Sequence, residues 1–355
     1  MKAAEIIAAE IAEAYPGCKI VKMPVADGGE GSVETILSIL GGELFETQAL
    51  SPDDRKIRAS YGIASNGSAV IEMAQSSGLT KQNGLHPMTS STYGFGQLIL
   101  AALDRGARDF TLCIGGSATT DGGCGMAAAL GVLFADDKGS SFVPCGETLC
   151  EIALIDMRNI DSRALQSRFT VICDVDNPLF GQYGAAYVYS PQKGASPEQV
   201  IFLDKGLRHL GGKLNECFEK DYSSIPGAGA AGGLGAGCMA FLGADLKSGI
   251  DVILELCDFE KQLCDADLII TGEGKLDSQS FSGKVLSGIL RRAGSVQVWS
   301  ICGICECGED LIRRYNLTVF ETSEGVSIED SIREPEKYLR AAARKSMNYA
   351  NTECV

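Results

Sequence analysis

Histidine is nearly absent from this sequence of 355 residues, which contains only His86 and His209. With so few imidazoles, no local motif supports a Ser-His-Asp triad or a histidine general base. The G-x-S-x-G sequence that presents the nucleophile of α/β-hydrolases does not occur, and neither does the G-x-x-x-x-G-K-[ST] sequence of P-loop proteins. Serine-triad hydrolysis and the P-loop class are therefore disfavoured.

Long apolar runs are also missing, because none approaches the roughly 20 residues that a membrane span needs. The formal net charge is −15, which argues against a nucleic-acid partner. The chain has 14 cysteines but is too long for a small disulfide scaffold, and no signal-peptide pattern opens it. One C-x-x-C at Cys302 and Cys305 has no second pair, so we expect no zinc site. These features predict a cytoplasmic protein with reduced thiols, no membrane contact and no nucleic-acid partner.

Apolar runs of strand length alternate with segments of helical spacing along most of the chain. Residues 3–15 and 32–40 have helical spacing, while CKIVKMPV, DFTLCIG, RFTVICDV, AAYVYS, DLIITG and SVQVWSICG read as strands. Residues 43–73 alternate in short runs around the turn Asn66-Gly67, which predicts a hairpin. The pattern predicts an α/β fold with largely parallel sheets covered on both faces.

The length favours two domains. The early helix-strand-helix segment and the C-terminal strands have similar patterns of apolar residues. We therefore predict that residues 1–48 and 260–355 form one α/β lobe of Rossmann or flavodoxin type, with residues 49–259 inserted as a second α/β lobe.

The stretch GGSATTDGGCG, residues 115–125, joins an apolar strand to a helix. Backbone N–H groups without Cβ atoms at a helix start favour anions, so this loop is a candidate phosphate site. Asp121 either caps the helix or holds a magnesium ion through water. A close helix-sheet contact that tolerates only glycine explains the same sequence, and this alternative stays open. The candidate cofactor-binding residues here are Gly115, Gly116, Ser117, Ala118, Thr119, Asp121 and Gly122.

Four other segments are rich in glycine, in charged residues or in both, and several follow a predicted strand. Open α/β sheets bind ligands at the carboxyl ends of their strands, so we predict one shared site. The segments contribute Asp27, Gly28, Gly29 and Glu30; Asp174 and Asp176, followed by Lys193; Gly227, Gly229 and Gly232; and Glu273, Lys275 and Asp277.

Phosphoryl transfer needs a backbone cradle for phosphates, carboxylates for magnesium, lysines that offset charge, and an acid that orients the attacking hydroxyl. Asp174, Asp176, Glu273 and Asp277 are the candidate acids. Asp176 is the preferred orienting acid, and Glu273 and Asp277 are assigned to metal. Lys193 and Lys275 are candidates to offset charge on the phosphoryl group and the substrate.

Gly227, Gly229 and Gly232 also satisfy G-x-G-x-x-G, the dinucleotide fingerprint, which would make the protein an NAD-dependent oxidoreductase. The preceding DYSSIP is too polar and too broken by proline for the strand that this fingerprint requires.

The motifs together resemble the type 1 glycerate kinases over residues 1–303. The matching segments are ADGGEGS, AVIEMAQSSGL, STYGFGQLILAAL, IGGSATTDGGCGM, CDVDNPLFG, SPQKGA, GAGAAGGLGAG and TGEGKLDSQSFSGK, in the family's order. The resemblance implies two different α/β domains with a cleft between them. It also implies transfer of the ATP γ-phosphate to a hydroxyl of D-glycerate, with Mg²⁺, to give phosphoglycerate and ADP. Homo-oligomer formation stays open.

The resemblance carries four further positions, Glu72, Ser77, Thr92 and Tyr93, which together with residues 27–30 it assigns to the substrate. Family members begin with an apolar strand and a lysine-serine loop before the first helix, and this sequence begins at that helix. An unread upstream start codon is the simpler explanation. If the omission is real, the alternative is a ligand-binding remnant without turnover.

Overall fold

The computed structural model describes residues 2–25, 31–281 and 285–353. For residues 350–353 it describes the backbone only. The chain forms two compact units. The central unit comprises residues 26–249, and the terminal unit comprises residues 1–25 with 250–355. These units divide at 25/26 and 249/250, whereas the sequence-based limits are 48/49 and 259/260. The strand Gly42–Leu50 lies wholly in the central unit because it pairs along its length with Lys56–Ala64.

The strands are numbered in chain order: β1 Gly42–Leu50, β2 Lys56–Ala64, β3 Ala69–Glu72, β4 Asp109–Cys113, β5 Leu133–Ala135, β6 Ser141–Phe142, β7 Leu154–Asp156, β8 Arg168–Ile172, β9 Asp245–Lys247, β10 Leu268–Leu276, β11 Gln297–Cys305 and β12 Leu317–Glu321. The helices are α1 Lys2–Ala14, α2 Ser32–Leu40, α3 Ala74–Ser77, α4 Tyr93–Asp104, α5 Cys124–Ala129, α6 Ser162–Leu165, α7 Ala185–Tyr189, α8 Pro197–Phe218, α9 Ala230–Leu242, α10 Gly249–Leu256, α11 Phe259–Leu263, α12 Val285–Arg292, α13 Glu309–Arg314, α14 Ile328–Arg333 and α15 Pro335–Glu353. Single-turn 3₁₀ helices lie at Leu79–Lys81, Leu149–Glu151, Pro191–Lys193 and Ser278–Phe281.

The central unit is built on a six-stranded sheet in the order β1-β2-β3-β4-β8-β9. β1, β2 and β3 are antiparallel, whereas β3, β4, β8 and β9 run parallel. The predicted hairpin forms at Asn66-Gly67, where Gly67 has a φ of +84° and its N–H donates to the Ala64 carbonyl. A second, antiparallel sheet has the order β6-β5-β7.

The terminal unit contains the parallel sheet β10-β11-β12. Successive side chains of β11 enter two different cores: Val298 and Cys302 pack with helices α10 and α12, while Trp299 and Ile301 pack with α1 and α15. Such alternation is what a parallel strand covered on both faces requires. The predicted α/β class with largely parallel sheets is confirmed.

Two predicted strands are wrong. AAYVYS forms helix α7, because Ala185 and Ala186 are buried among helices α8 and α9 rather than beside a strand. Periodicity cannot separate a strand from a helix in so short a run. CKIVKMPV lies outside every strand of the described chain, and Val21 and Val25 are 47% and 45% exposed.

Among the described residues, no helix has both the length and the apolar character needed to cross a membrane.

Candidate phosphate site in the central unit

The candidate site lies where the parallel strands β3, β4 and β8 end, on one edge of the central sheet. Parallel strands place their carboxyl ends at the same edge, which is where open α/β sheets bind ligands. A cavity of about 240 Å³ opens there. It is lined by Leu79, Ile114, Gly115, Gly116, Ser117, Ile172, Cys173, Asp174, Val175, Tyr189, Gln192, Lys193, Ala230 and Ala231.

The wall that follows β4 presents three consecutive backbone N–H groups, those of Gly115, Gly116 and Ser117. None of the three donates a hydrogen bond to another described residue. Neighbouring groups hold the loop in place, since Leu79 N donates to Gly116 O at 3.1 Å and Ala118 N donates to Ser77 O at 3.0 Å. Gly116 has a φ of +73°, so the loop takes a left-handed turn that favours glycine. Consecutive unused N–H groups in such a turn form an anion-binding concavity.

Lys193 forms another part of the wall, at the end of the 3₁₀ helix Pro191–Lys193. Its side chain is buried, and the residue is only 2% exposed. Nζ donates to Thr119 O at 2.6 Å and to Ser117 Oγ at 3.3 Å. No carboxylate of the described residues lies within salt-bridge distance of Nζ. Burial lowers the pKa of Lys193 to about 7, although the negative charge of Asp121 opposes this effect.

Asp121 is fully buried and organises the start of helix α5. Its Oδ2 accepts from the N–H and the hydroxyl of Thr92, both at 2.7 Å, and from Gly125 N at 3.3 Å, while Oδ1 accepts from Gly123 N. Burial raises the pKa of this carboxyl in spite of the four hydrogen bonds. The geometry matches the capping alternative for Asp121, and it accounts for Thr92 by the same contacts.

The second glycine-rich segment, residues 227–237, packs against the first. A Cβ on Gly232 would lie 1.9 Å from Thr119 O, and one on Gly229 would lie 2.2 Å from Pro178 O. A Cβ on Gly122, in the first loop, would lie 2.1 Å from a methyl carbon of the Leu210 side chain. Close contact between chain segments therefore explains these glycines. The chain before Gly227 forms turns and no strand, so the context that the dinucleotide fingerprint requires is absent from this described segment.

Two acids lie on the exit loop of β8. Asp174 lines the cavity, and its Oδ1 accepts from Gly249 N at 2.9 Å. Asp176 lies two residues further along the loop and is exposed. Its carboxylate accepts no hydrogen bond from a described residue. The loop therefore offers one anchored carboxylate at the cavity and one exposed carboxylate beside it.

Comparison with known proteins decides the family. The model of the glycerate kinase family matches residues 1–351. This chain belongs to the glycerate kinase family. The glycerate kinase of Bacillus subtilis is 40% identical over 354 residues, which cover 97% of this chain and 92% of that protein. The glycerate 2-kinase of Escherichia coli is 42% identical over 280 residues, covering 78% of this chain and 74% of that protein.

A solved structure from Salmonella typhimurium LT2, assigned as glycerate kinase 2, superposes with a TM-score of 0.85. It is 34% identical, and the match covers 99% of this chain and 94% of that chain. As a member of the glycerate kinase family, the chain is a kinase, and the family implies ATP as the phosphate donor.

The four positions that the resemblance added, Glu72, Ser77, Thr92 and Tyr93, are all absent from the cavity lining of this glycerate kinase family member. Glu72 ends β3, is 2% exposed, and accepts from Val33 N at 2.9 Å in the first turn of α2. Ser77 is buried and its carbonyl holds Ala118 N, so it supports the glycine loop. Tyr93 begins α4 and lines a separate depression with Phe134. Asp27, Gly28, Gly29 and Glu30 lie outside the described residues.

Glu273, Lys275 and Asp277 are in the terminal unit, along and just after β10. Glu273 Oε2 accepts from Ser280 Oγ at 2.8 Å, and Asp277 Oδ1 accepts from Gln279 N at 2.9 Å. Lys275 is exposed and forms a 2.7 Å ion pair with Glu306, which raises its pKa. These contacts describe this segment within its own unit.

Nine residues of the cavity wall were not among the predicted site residues, and three of these have polar or ionisable side chains: Cys173, Tyr189 and Gln192. Tyr189 was hidden by the interpretation of AAYVYS as a strand. In helix α7 the two buried alanines, Ala185 and Ala186, precede Tyr189 by four and three residues, which places all three on one face. Helical spacing of small residues before the tyrosine is the signal that could have revealed it.

The donor set fits the phosphates of ATP, because residues 115–117, whose amide N–H groups are unused, and the buried Lys193 line the same cavity. For metal, the part of the chain that the structure describes contains no cluster of three or more His, Cys, Asp or Glu side chains arranged as ligands. Mg²⁺ in nucleotide sites binds through one or two carboxylates together with phosphate oxygens and water, so such a cluster is not required.

Proposed function

We propose that this chain transfers the γ-phosphate of ATP to the 2-hydroxyl of D-glycerate, as a type 1 glycerate kinase. The observation that carries the proposal is the cavity wall in which unused N–H groups of residues 115–117 lie next to the buried Lys193. The choice of hydroxyl follows the name of the E. coli relative, which is a glycerate 2-kinase. A cytoplasmic location belongs to the same proposal, since no disulfide joins cysteines of the described chain.

In this proposal the first glycine loop binds phosphate oxygens through Gly115, Gly116 and Ser117. Lys193 adds positive charge in a buried setting, where a charge interacts more strongly than it does in water. Phosphoryl transfer depends mainly on such positioning and charge stabilisation. Mg²⁺ bound with the phosphates would neutralise part of their charge. The carboxylates proposed to bind Mg²⁺ or to orient the substrate are those of Asp176 in the central unit and of Glu273 and Asp277 in the terminal unit.

Asp176 is our preferred acid for the acceptor hydroxyl. Its carboxylate lies on the loop that follows Asp174 and has no hydrogen-bond donor among the described residues, so it is available to accept the hydroxyl proton. Asp174 is held by Gly249 N and is better suited to a fixed position in the cavity wall.

The activity test is an assay of ADP release with D-glycerate, ATP and Mg²⁺. Enolase converts 2-phosphoglycerate directly but acts on 3-phosphoglycerate only after a mutase step, so coupling with and without mutase identifies the product. We expect ADP release and enolase coupling without mutase. Absence of ADP release would overturn the proposal, while a requirement for mutase would reassign the hydroxyl.

Asp176→Asn tests the assignment of the acid. It should lower kcat by roughly 10²- to 10⁴-fold, the usual contribution of general acid–base catalysis. Asp137→Asn is the matched control, because Asp137 is an exposed aspartate in the turn between β5 and β6. A near-normal kcat for the Asp176 variant would move the role to another carboxylate.

A further inference from the structure

Lys193 is an unusual residue for the interior of a protein. Its Nζ has two acceptors, Thr119 O and Ser117 Oγ, and both are uncharged. A neutral lysine amine has two N–H groups, whereas an ammonium has three. The contacts of the described residues therefore satisfy both N–H groups of the neutral amine. The ammonium would carry a third N–H and a full charge that no described residue pairs with.

The ionisable groups around Lys193 come from three other elements. Asp121, before α5, is saturated by its own four donors and lies beyond salt-bridge distance of Nζ. Asp174 and Cys173 follow β8, and Tyr189 ends α7. Burial raises the pKa of Cys173 and of Tyr189, so both are neutral near pH 7. The start of α9 contributes only Ala230 and Ala231 to the cavity.

An isolated charge in a protein interior is costly, and the usual response is that the group loses its charge or acquires a partner. Both responses are open to Lys193, because the cavity beside it can admit an anion. The charged and neutral forms of Lys193 are close in free energy near pH 7, because burial lowers its pKa to about 7 while the negative charge of Asp121 opposes the shift.

We propose that Lys193 is a neutral amine while no anion occupies the cavity, and that it takes up one proton from solvent when a phosphate group enters. The new N–H bond forms at Nζ, and the third donor of the resulting ammonium is directed to a phosphate oxygen. Binding of the nucleotide is thus coupled to proton uptake. The inference rests on the proposed function only where it names a nucleotide phosphate as the anion.

The test is titration calorimetry of ADP, without glycerate, in buffers of equal pH and different ionisation enthalpy. At pH 8.5 the phosphates of ADP are fully deprotonated, so a proton taken up on binding goes to the protein. We expect uptake of about one proton by the wild-type chain, and of about none by Lys193→Arg, whose guanidinium is always charged. Above pH 7 the affinity of the wild type should fall by up to about tenfold per pH unit, because one proton is linked to binding.

Two results would overturn the inference while the proposed function stands: ADP binding to the wild type without proton uptake, or equal uptake by the Arg variant. Failure of ADP to bind the wild type in any buffer would overturn the proposed function itself, and the coupling with it.

A second measurement needs no ligand. In protein labelled with ¹³C at lysine Cε, the Lys193 signal, assigned by its loss in Lys193→Arg, should titrate near pH 7. Titration near the ordinary lysine value of about 10.4 would overturn the inference even if the variant folded poorly.

Discussion

The central unit has two glycine-rich segments, residues 115–125 and residues 227–237, whose glycines have different structural roles. Residues 115–117 line a cavity, and their N–H groups donate to no described residue. In residues 227–237 a Cβ on Gly229, Gly232, Gly235 or Gly237 would collide with a backbone carbonyl oxygen. Glycine in the first case leaves donors open to a ligand, and in the second it lets two chain segments approach each other.

The boundary between these uses lies inside the first loop. Gly116 has only Ala74 Cβ near its Cβ position, at 3.4 Å, whereas a Cβ on Gly122 would lie 2.1 Å from a Leu210 methyl group. A loop can therefore serve binding at one end and packing at the other. Counting glycines cannot reveal this division, because it depends on what the folded chain brings opposite each one.

Gly232→Ala should have the largest effect. The new Cβ would meet Thr119 O at 1.9 Å at a residue whose φ is +71°, so collision and backbone strain combine. We expect a loss of at least about 3 kcal/mol in the free energy of unfolding, measured with urea. Gly212→Ala in α8 is the control: its Cβ position is open, and alanine should stabilise the helix by about 0.5–1 kcal/mol. Similar stabilities for the two variants would contradict the packing role.

Lys193→Met should change how stability depends on pH. The folded-state pKa of Lys193 is about 7, below that of the unfolded chain, so the unfolded state binds more protons between about pH 7 and 10.5. The stability contributed by wild-type Lys193 therefore rises with pH across this window and is lowest below it. We expect the wild type to gain about 2.5 kcal/mol relative to the variant between pH 6.5 and 9, in urea unfolding at both pH values. Lys138→Met, at an exposed lysine, is measured alongside as the control, and a flat difference for Lys193→Met would refute the prediction.

Gly116→Ala should act on binding more than on stability. Its Cβ makes only an ordinary contact, but its φ of +73° costs an L-residue about 1–2 kcal/mol. Relief of that strain would move the neighbouring N–H groups, so kcat/KM for ATP should fall at least about tenfold. A normal kcat/KM together with reduced stability would place Gly116 with the packing glycines instead.

Thr120→Val should have the smallest effect. The Thr120 hydroxyl is buried and has no hydrogen-bond partner in the described structure. Its isosteric removal should leave the melting temperature unchanged or raise it slightly. Thr119→Val, which removes a hydroxyl 3.2 Å from Ser117 Oγ, should cost about 1 kcal/mol. A large loss in the Thr120 variant would reveal a partner for that hydroxyl.

Local patterns predicted much of the fold. The helices α1 and α2, the hairpin at Asn66-Gly67 and the strands β4, β8, β10 and β11 follow the predicted segments closely. The interpretation of AAYVYS failed because its five helical residues are buried by tertiary neighbours, which override a weak local preference. The interpretation of CKIVKMPV failed because a strand also needs a hydrogen-bonded neighbour, which no single segment can supply.

The candidate site was predicted less completely. Gly115, Gly116, Ser117, Asp174 and Lys193 were expected in one place, and the structure brings them to one cavity. The sequence could not separate them from Asp121, Thr92 and Gly232, whose polar or glycine character serves internal contacts. Tyr189 lines the cavity outside the glycine-rich motifs, and its only local signal is the helical spacing of the alanines that precede it.

The amino-acid sequence by itself determined the α/β class, the strand-to-glycine junctions and the family, since these follow from local periodicity and from ordered motifs. Tertiary structure alone decided which donors remain unused and that Lys193 is buried beyond salt-bridge distance of every described carboxylate. Those properties depend on distances between segments that are far apart in the chain. The same distances determine how deeply Lys193 is buried, and this burial lowers the pKa of its amine to about 7.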